Sequence, residues 1–189
     1  MLSERLASLA GLTALALLLC GCSGSSSKTT GPGTASNPNP KASQDQLSAG
    51  FILGAAPAGA RNVGEAKKAV QEKDAVVLRG RIGGEHPFTE GRAMLTIADM
   101  KLTPCNEKAD DKCPTPWDFC CDPKETILEH SASVQVLGAD GKILKTSLQS
   151  VKGLAPLSII VVQGIVAERP DPKVLVINAT GIYIEKAAK

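Results

Sequence analysis

The chain has 189 residues, and its 21 basic residues against 19 acidic ones leave a formal charge of +2. That length bounds the fold to about one domain, and the near-balanced charge excludes a general polyanion binder, which needs a basic stripe. The five aromatics, Phe51, Phe88, Trp117, Phe119 and Tyr183, are too few to stack the bases of a single strand, so no nucleic-acid partner is expected.

The N-terminus is read as an address. Residues 1–5 are short and polar, and residues 6–19, LASLAGLTALALLL, are apolar. Their length suits a signal-peptide core and is short of the about 20 residues that span a bilayer. The following Leu19-Cys20-Gly21-Cys22-Ser23 resembles the lipobox of bacterial lipoproteins, with Cys20 standing where Ala or Ser is commoner. The resemblance implies cleavage of residues 1–21 and lipidation of Cys22. It also implies anchoring to the membrane through that lipid, in the bacterial cell envelope and facing the periplasm. Ser23 points to the outer membrane rather than the inner. Residues 22–46 form the expected tether. From Ser23 to Ser43 all but Lys28, Ala35, Lys41 and Ala42 are Gly, Ser, Thr, Pro or Asn, a composition that cannot bury enough apolar area to order itself. About 20 such residues reach roughly 25 Å.

Residues 47–74 are expected to be an entry segment with one short helix. Val63, Ala66 and Ala69/Val70 recur at helical spacing within residues 61–72, with Gly64 weakening the pattern. The period then changes to two. Residues 75–83 place Val76, Leu78, Gly80 and Ile82 on one face and Val77, Arg79 and Arg81 on the other. Further strands are expected over residues 93–100, 132–137, 157–167 and 173–184, with a turn at Gly138-Ala139-Asp140-Gly141 and a loop at Arg169-Pro170-Asp171-Pro172. Five strands, with Gly80 and Gly164 where a strand must bend, predict an all-β fold, a small OB-type barrel over residues 75–189. A sandwich of immunoglobulin type would want about seven.

The run APAGARNVGEAKKAVQEKDAVVLRGRI, together with MLTIADM and IIVVQGIVAE, resembles the periplasmic bacterial OB-fold (BOF) family. The resemblance covers roughly residues 55–100 and 155–185 and implies the fold more than the function. One departure is large. Where that family has a short connection between strands two and three, this chain carries a cysteine-rich insert over residues 103–131.

The insert holds Cys105, Cys113, Cys120 and Cys121 within 17 residues. In an exported chain, an even cysteine count reads first as disulfides. Bonding the neighbours Cys120 and Cys121 to each other strains the backbone, so each is expected to take one of Cys105 and Cys113. Two such bridges would stabilise by roughly 2–3 kcal/mol each. The alternative is a thiolate site for zinc or copper, or redox-active thiols. The spacing C-x7-C-x6-C-C lacks paired C-x2-C knuckles, and His130 is close enough in sequence to reach the cluster. Glu107, Asp110, Asp111, Asp118, Asp122 and Glu125 make the loop acidic.

Trp117 and Phe119 are either a small core under the insert or anchors for a partner. His86, in the loop after the first strand, is a further candidate contact, since that loop flanks the usual OB binding face. No nucleophile elbow, zincin helix, Walker loop or dinucleotide fingerprint occurs. Asp99 and Glu168 fall at strand ends without pairing two carboxylates. No residue is therefore expected to be catalytic, and no cofactor is expected unless the cysteines hold zinc or copper. The expected function is a lipid-anchored, non-enzymatic OB-fold binding module of the envelope, taking a protein or small ligand. A metal- or redox-handling lipoprotein is the alternative.

Overall fold

A computed structural model describes residues 46–109, 112–167, 169 and 171–188. The expected signal peptide, Cys22, the tether up to residue 45, and Asp110, Asp111 and Glu168 lie outside the described residues.

Near the start of the described chain, Phe51 is buried in the core. A two-residue strand follows, Arg61–Asn62 (β1), and then a helix, Val63–Ala69 (α1). The remaining strands are Ala75–Ile82 (β2), Met94–Ala98 (β3), Ser131–Gln135 (β4), Ile159–Val166 (β5) and Val176–Lys186 (β6). A second helix, Lys124–Glu129 (α2), precedes β4. β2 to β6 are the five expected strands. Antiparallel β2–β3–β4 runs into a parallel β4–β6 pair, β6 pairs antiparallel with β5, and β5 returns to β2. The sheet is thus closed in the strand order of an OB-type barrel, and closure removes its free edges.

The alternation in the sequence decides what faces inward. Val76, Leu78, Gly80 and Ile82 are all buried, whereas Val77, Arg79 and Arg81 are only half-buried. Leu95, Ile97, Val134, Ile160, Val162, Ile177 and Ile182 complete the same cluster, so the barrel interior is a packed core. The 138–141 turn is present. Gly138 N–H donates to Lys142 O, and Gly141 takes φ +74 there.

Closure depends on two glycines of close approach. A Cβ on Gly80 would stand 2.8 Å from Ala98 O, and one on Gly164 would stand 2.7 Å from Ile177 Cγ2 and 3.0 Å from Ala179 Cα. Gly164 also sits at a register shift, since Gln163 pairs with Gly181 while Gly164 pairs with Ala179. The extra residue, Thr180, bends β6 at this point as a bulge does.

The helix is shorter than the expected 61–72. Arg61 and Asn62 pair instead with Leu78 and Arg79 of β2, and the chain is extended again at Val70. The competing interactions are tertiary. Val63 and Ala66 are fully buried in the barrel core. Beyond the helix, the Arg169 guanidinium donates to Val70 O at 2.5 Å, Lys67 O at 3.2 Å and Pro172 O at 2.5 Å. The bonds to Lys67 O and Val70 O satisfy carbonyls that a helix end leaves open.

Lys67, on the same helix, is only 8 % exposed. Its ammonium donates to Leu128 O at 2.6 Å, Ser131 O at 2.5 Å and Lys173 O at 3.0 Å. Burial, and then the nearby Arg169 charge, pull its pKa from 10.5 to about 8, against the opposing pull of Glu129 and Asp171. The amine thus ties α1 to the end of α2, the start of β4 and the β5–β6 loop.

Candidate functional site

The residues between β3 and β4 leave the barrel through a narrow neck. Asp99 N–H donates to His130 O at 2.8 Å, joining the two ends of the excursion. The Asp99 side chain is 1 % exposed. It accepts from Gly64 N–H at 3.2 Å and Lys101 N–H at 3.0 Å. His130 Nδ1 lies 3.6 Å from Asp99 Oδ2, and the imidazole packs on Gly64, where an added Cβ would meet His130 Cε1 at 2.7 Å. His130 therefore serves the neck and is not grouped with the thiols.

Above the neck the excursion folds on its own small core. Ala98, Leu102 and Phe119 are buried together, with Ile127 against them. Phe119 is 1 % exposed, which corrects its assignment as a partner contact: its ring is the apolar centre that the irregular loop needs. The excursion lies against the outer face of β2. Arg81 Nη1 is 3.1 Å from Glu107 Oε1 with its side chain 12 % exposed, and Gly84 N–H donates to Trp117 O at 3.1 Å. A Cβ on Gly83 would stand 2.6 Å from Trp117 O and 2.9 Å from the Phe119 ring. Trp117 itself is half-buried, with its indole Nε1 buried. His86 projects into solvent with its side chain 84 % exposed.

The backbone of the excursion brings its cysteines together. Cys105 opens a 3-10 turn, Cys105–Glu107. Cys105 N–H donates to Asp118 O at 2.8 Å and Asn106 N–H to Pro116 O at 2.9 Å, so the segments on either side of Cys113 are pinned side by side. Asp118 Oδ1 accepts from Phe119 N–H at 2.7 Å. The Cys105 and Cys120 sulfurs are 3.4 Å apart, and those of Cys113 and Cys120 are 3.5 Å apart. Cys105, Cys120 and Cys121 place all three sulfurs within 4.8 Å of one another. The expected disulfides are not at bonding distance, because a covalent S–S bond measures about 2.05 Å. Cys105 is buried, Cys113 is intermediate, and Cys120 and Cys121 are exposed.

The electrostatics follow from this crowding. The Thr115 hydroxyl, 3.2 Å from Cys113 Sγ, and then the Cys120 contact hold the Cys113 thiol below its ordinary range. At Cys120 the Cys105 hydrogen bond pulls the pKa down. The Cys113 contact, burial and the neighbouring sulfurs outweigh it and hold Cys120 above the ordinary value. The 3.0 Å bond to Asp122 holds the Lys108 ammonium up, and Cys121 and Cys105 add to that pull.

A second feature lies on the barrel wall. A cleft of about 920 Å³ opens between the tip of the β2–β3 loop, the 138–145 turn and the start of β6. Arg92, Lys142 and Lys145 line it, and no acidic residue does so among the described residues. On its floor Gln135 Nε2 donates to Asn178 Oδ1 at 2.7 Å. Lys142 is loosely paired with Asp140 at 3.8 Å. Sequence reasoning missed this cleft, since its cations are 53 residues apart at the extremes and only barrel closure assembles them.

No family model matches the chain, and no curated protein matches it. Among solved structures it is similar to an aspartyl tRNA synthetase from Entamoeba histolytica, at 13 % identity and a TM-score of 0.42. The match covers 78 % of this chain and 27 % of that one. The OB-type assignment rests on the strand order and closure of this chain itself.

Proposed function

We propose that this protein is an exported, lipid-anchored envelope protein whose OB-type barrel is a non-enzymatic binding module for an anionic ligand. The reading takes the chain as a lipoprotein related in pattern to the periplasmic bacterial OB-fold family. The single observation that carries it is the cleft lined by Arg92, Lys142 and Lys145, with no acidic residue in its lining among the described residues. The barrel interior is filled, so a ligand has only the exterior, and this concavity offers it three cations and a pair of side-chain amides. OB-type barrels present ligand surfaces on this kind of wall, beside the loops after their first and fourth strands. The three cations are exposed, which suits steering and reversible capture of charge better than deep burial of a small apolar molecule.

Calorimetric titration with a short oligoglutamate peptide, inorganic phosphate and a single-stranded oligonucleotide tests the cleft. Saturable, salt-sensitive binding of the peptide or phosphate is expected, weakened by about tenfold or more in the Arg92→Ala/Lys142→Ala/Lys145→Ala variant, on the scale of one charge-assisted hydrogen bond. Equal affinity of the variant contradicts the assignment, and so does a preference for the oligonucleotide.

The anchor is tested separately in cells. Cys22→Ala should abolish the lipid-modified mass and move the protein out of the membrane fraction, because a transmembrane helix is not expected in its place. Unchanged membrane retention of that variant would overturn lipid anchoring at Cys22.

A further inference from the structure

Two disulfides require four sulfurs to sort into two exclusive pairs. Here Cys120 has two sulfur neighbours at nearly equal distance instead of one. Cys120 stands between Cys105 at 3.4 Å and Cys113 at 3.5 Å, and Cys121 falls within 4.8 Å of both Cys105 and Cys120. A tetrahedral zinc–thiolate site, with Zn–S bonds of about 2.3 Å, has sulfur–sulfur edges of about 3.8 Å. The two shortest separations, 3.4 and 3.5 Å, lie a little inside that edge and well beyond the about 2.05 Å of a disulfide; Cys113 reaches the trio of Cys105, Cys120 and Cys121 through its contact with Cys120.

We propose that Cys105, Cys113, Cys120 and Cys121 form one four-thiolate centre that holds a single zinc ion and braces the excursion. Four sulfur donors without a histidine favour a thiophilic cation of tetrahedral preference over calcium, magnesium or manganese. His130 packs at the neck beside Asp99 and is not grouped with the sulfurs, so the donor set is sulfur alone. Binding exchanges four thiol protons for one Zn²⁺ and leaves a net charge of −2 at the centre. Lys108, bonded to Asp122 at 3.0 Å, supplies a cation on the same loop. Cys105 is at the buried base and Cys120 and Cys121 are at the exposed rim, so the ion sits where solvent can deliver it. The need for such a brace is physical. The excursion has one 3-10 turn, one short helix and a core of Ala98, Leu102 and Phe119 with Ile127. That is little apolar area to order about 30 residues.

The test uses the full chain carrying Cys20→Ser and Cys22→Ser, so that the four excursion cysteines are its only thiols, purified in detergent without oxygen. Elemental analysis should find one zinc per chain. Four thiols should resist a thiol reagent until a chelator is added, and then all four should react. Adding Zn²⁺ alone to the chelated, reduced chain should restore protection and release protons. Cys113→Ser and Cys121→Ser, both away from the buried base, should each weaken zinc retention by about tenfold or more. Two outcomes overturn the proposal. One is a zinc-free chain about 4 Da lighter than its reduced mass, with no reactive thiol, which is the product of two disulfides. The other is zinc retention unaffected in both serine variants.

Discussion

Gly164→Val should strain the closure of the barrel and lower its stability markedly. The added side chain would have to occupy space already held by Asn178 O, Ile177 Cγ2 and Ala179 Cα. Two of those atoms are backbone of the partner strand, at the register shift where β6 crosses β5, so neither can rotate away. Overpacking usually costs 1–3 kcal/mol, and a collision with backbone belongs at or above the top of that range, about 3 kcal/mol. For a domain of this size, melting should fall by roughly 10 °C. Gly91→Ala is the matched comparison. That glycine lies in the β2–β3 loop at φ +64 with nothing within 4 Å of an added Cβ, so its replacement should cost only about 1 kcal/mol of backbone strain. Circular dichroism melts of the two variants decide the point. Equal melting temperatures would mean that β5 and β6 do not pair in this register.

Lys67→Met should also be severe, at about 3 kcal/mol. The methionine keeps the length of the stem but leaves Leu128 O, Ser131 O and Lys173 O without their common donor. These carbonyl bonds are part-buried; an unsatisfied buried carbonyl costs about 1–3 kcal/mol, and water entering between α1 and α2 recovers part of it. The exposed Lys68–Glu129 ion pair at 2.7 Å joins the same helices, yet a surface pair is worth well under the buried one. A pH series gives an independent check. Burial and the Arg169 charge lower the Lys67 pKa to about 8 in the folded chain from 10.5. Between those values the unfolded chain binds more protons than the native one, so this group makes stability rise with pH across that window. The advantage of the wild type over Lys67→Met, measured by denaturant unfolding, should therefore widen from pH 7 to pH 10. A constant gap would place the Lys67 pKa near its ordinary value.

The barrel was legible because its signals are local. Val76, Leu78, Gly80 and Ile82 alternate within one strand, and the β-branched runs of β5 and β6 are continuous. Gly80 and Gly164 marked the tight crossings, since a glycine inside a strand has few other reasons to be there. The helix boundary was not legible. Arg61 and Asn62 leave the helical pattern to pair with β2, and its far end is set by Arg169, about 100 residues away. Lys67 reads as an ordinary solvated lysine in sequence, because nothing local announces three carbonyls contributed by α2, β4 and the β5–β6 loop. At the excursion, the cysteine count told where chemistry is concentrated. An even cysteine count in an exported chain reads first as two bridges, whereas the backbone ladder from Cys105 and Asn106 to Asp118 and Pro116 draws Cys105, Cys120 and Cys121 into one group, with Cys113 against Cys120. Phe119 shows the same limit: an aromatic between prolines and cysteines reads equally as anchor or core, and its burial against Ala98 and Leu102 settles it as core.

X-ray absorption at the zinc edge of the purified chain tests the central claim most directly. The account predicts a first coordination shell of four sulfur scatterers at about 2.3 Å, with no nitrogen or oxygen contribution. A shell containing light-atom ligands, or a chain that carries no zinc and has its cysteines oxidised, would contradict it.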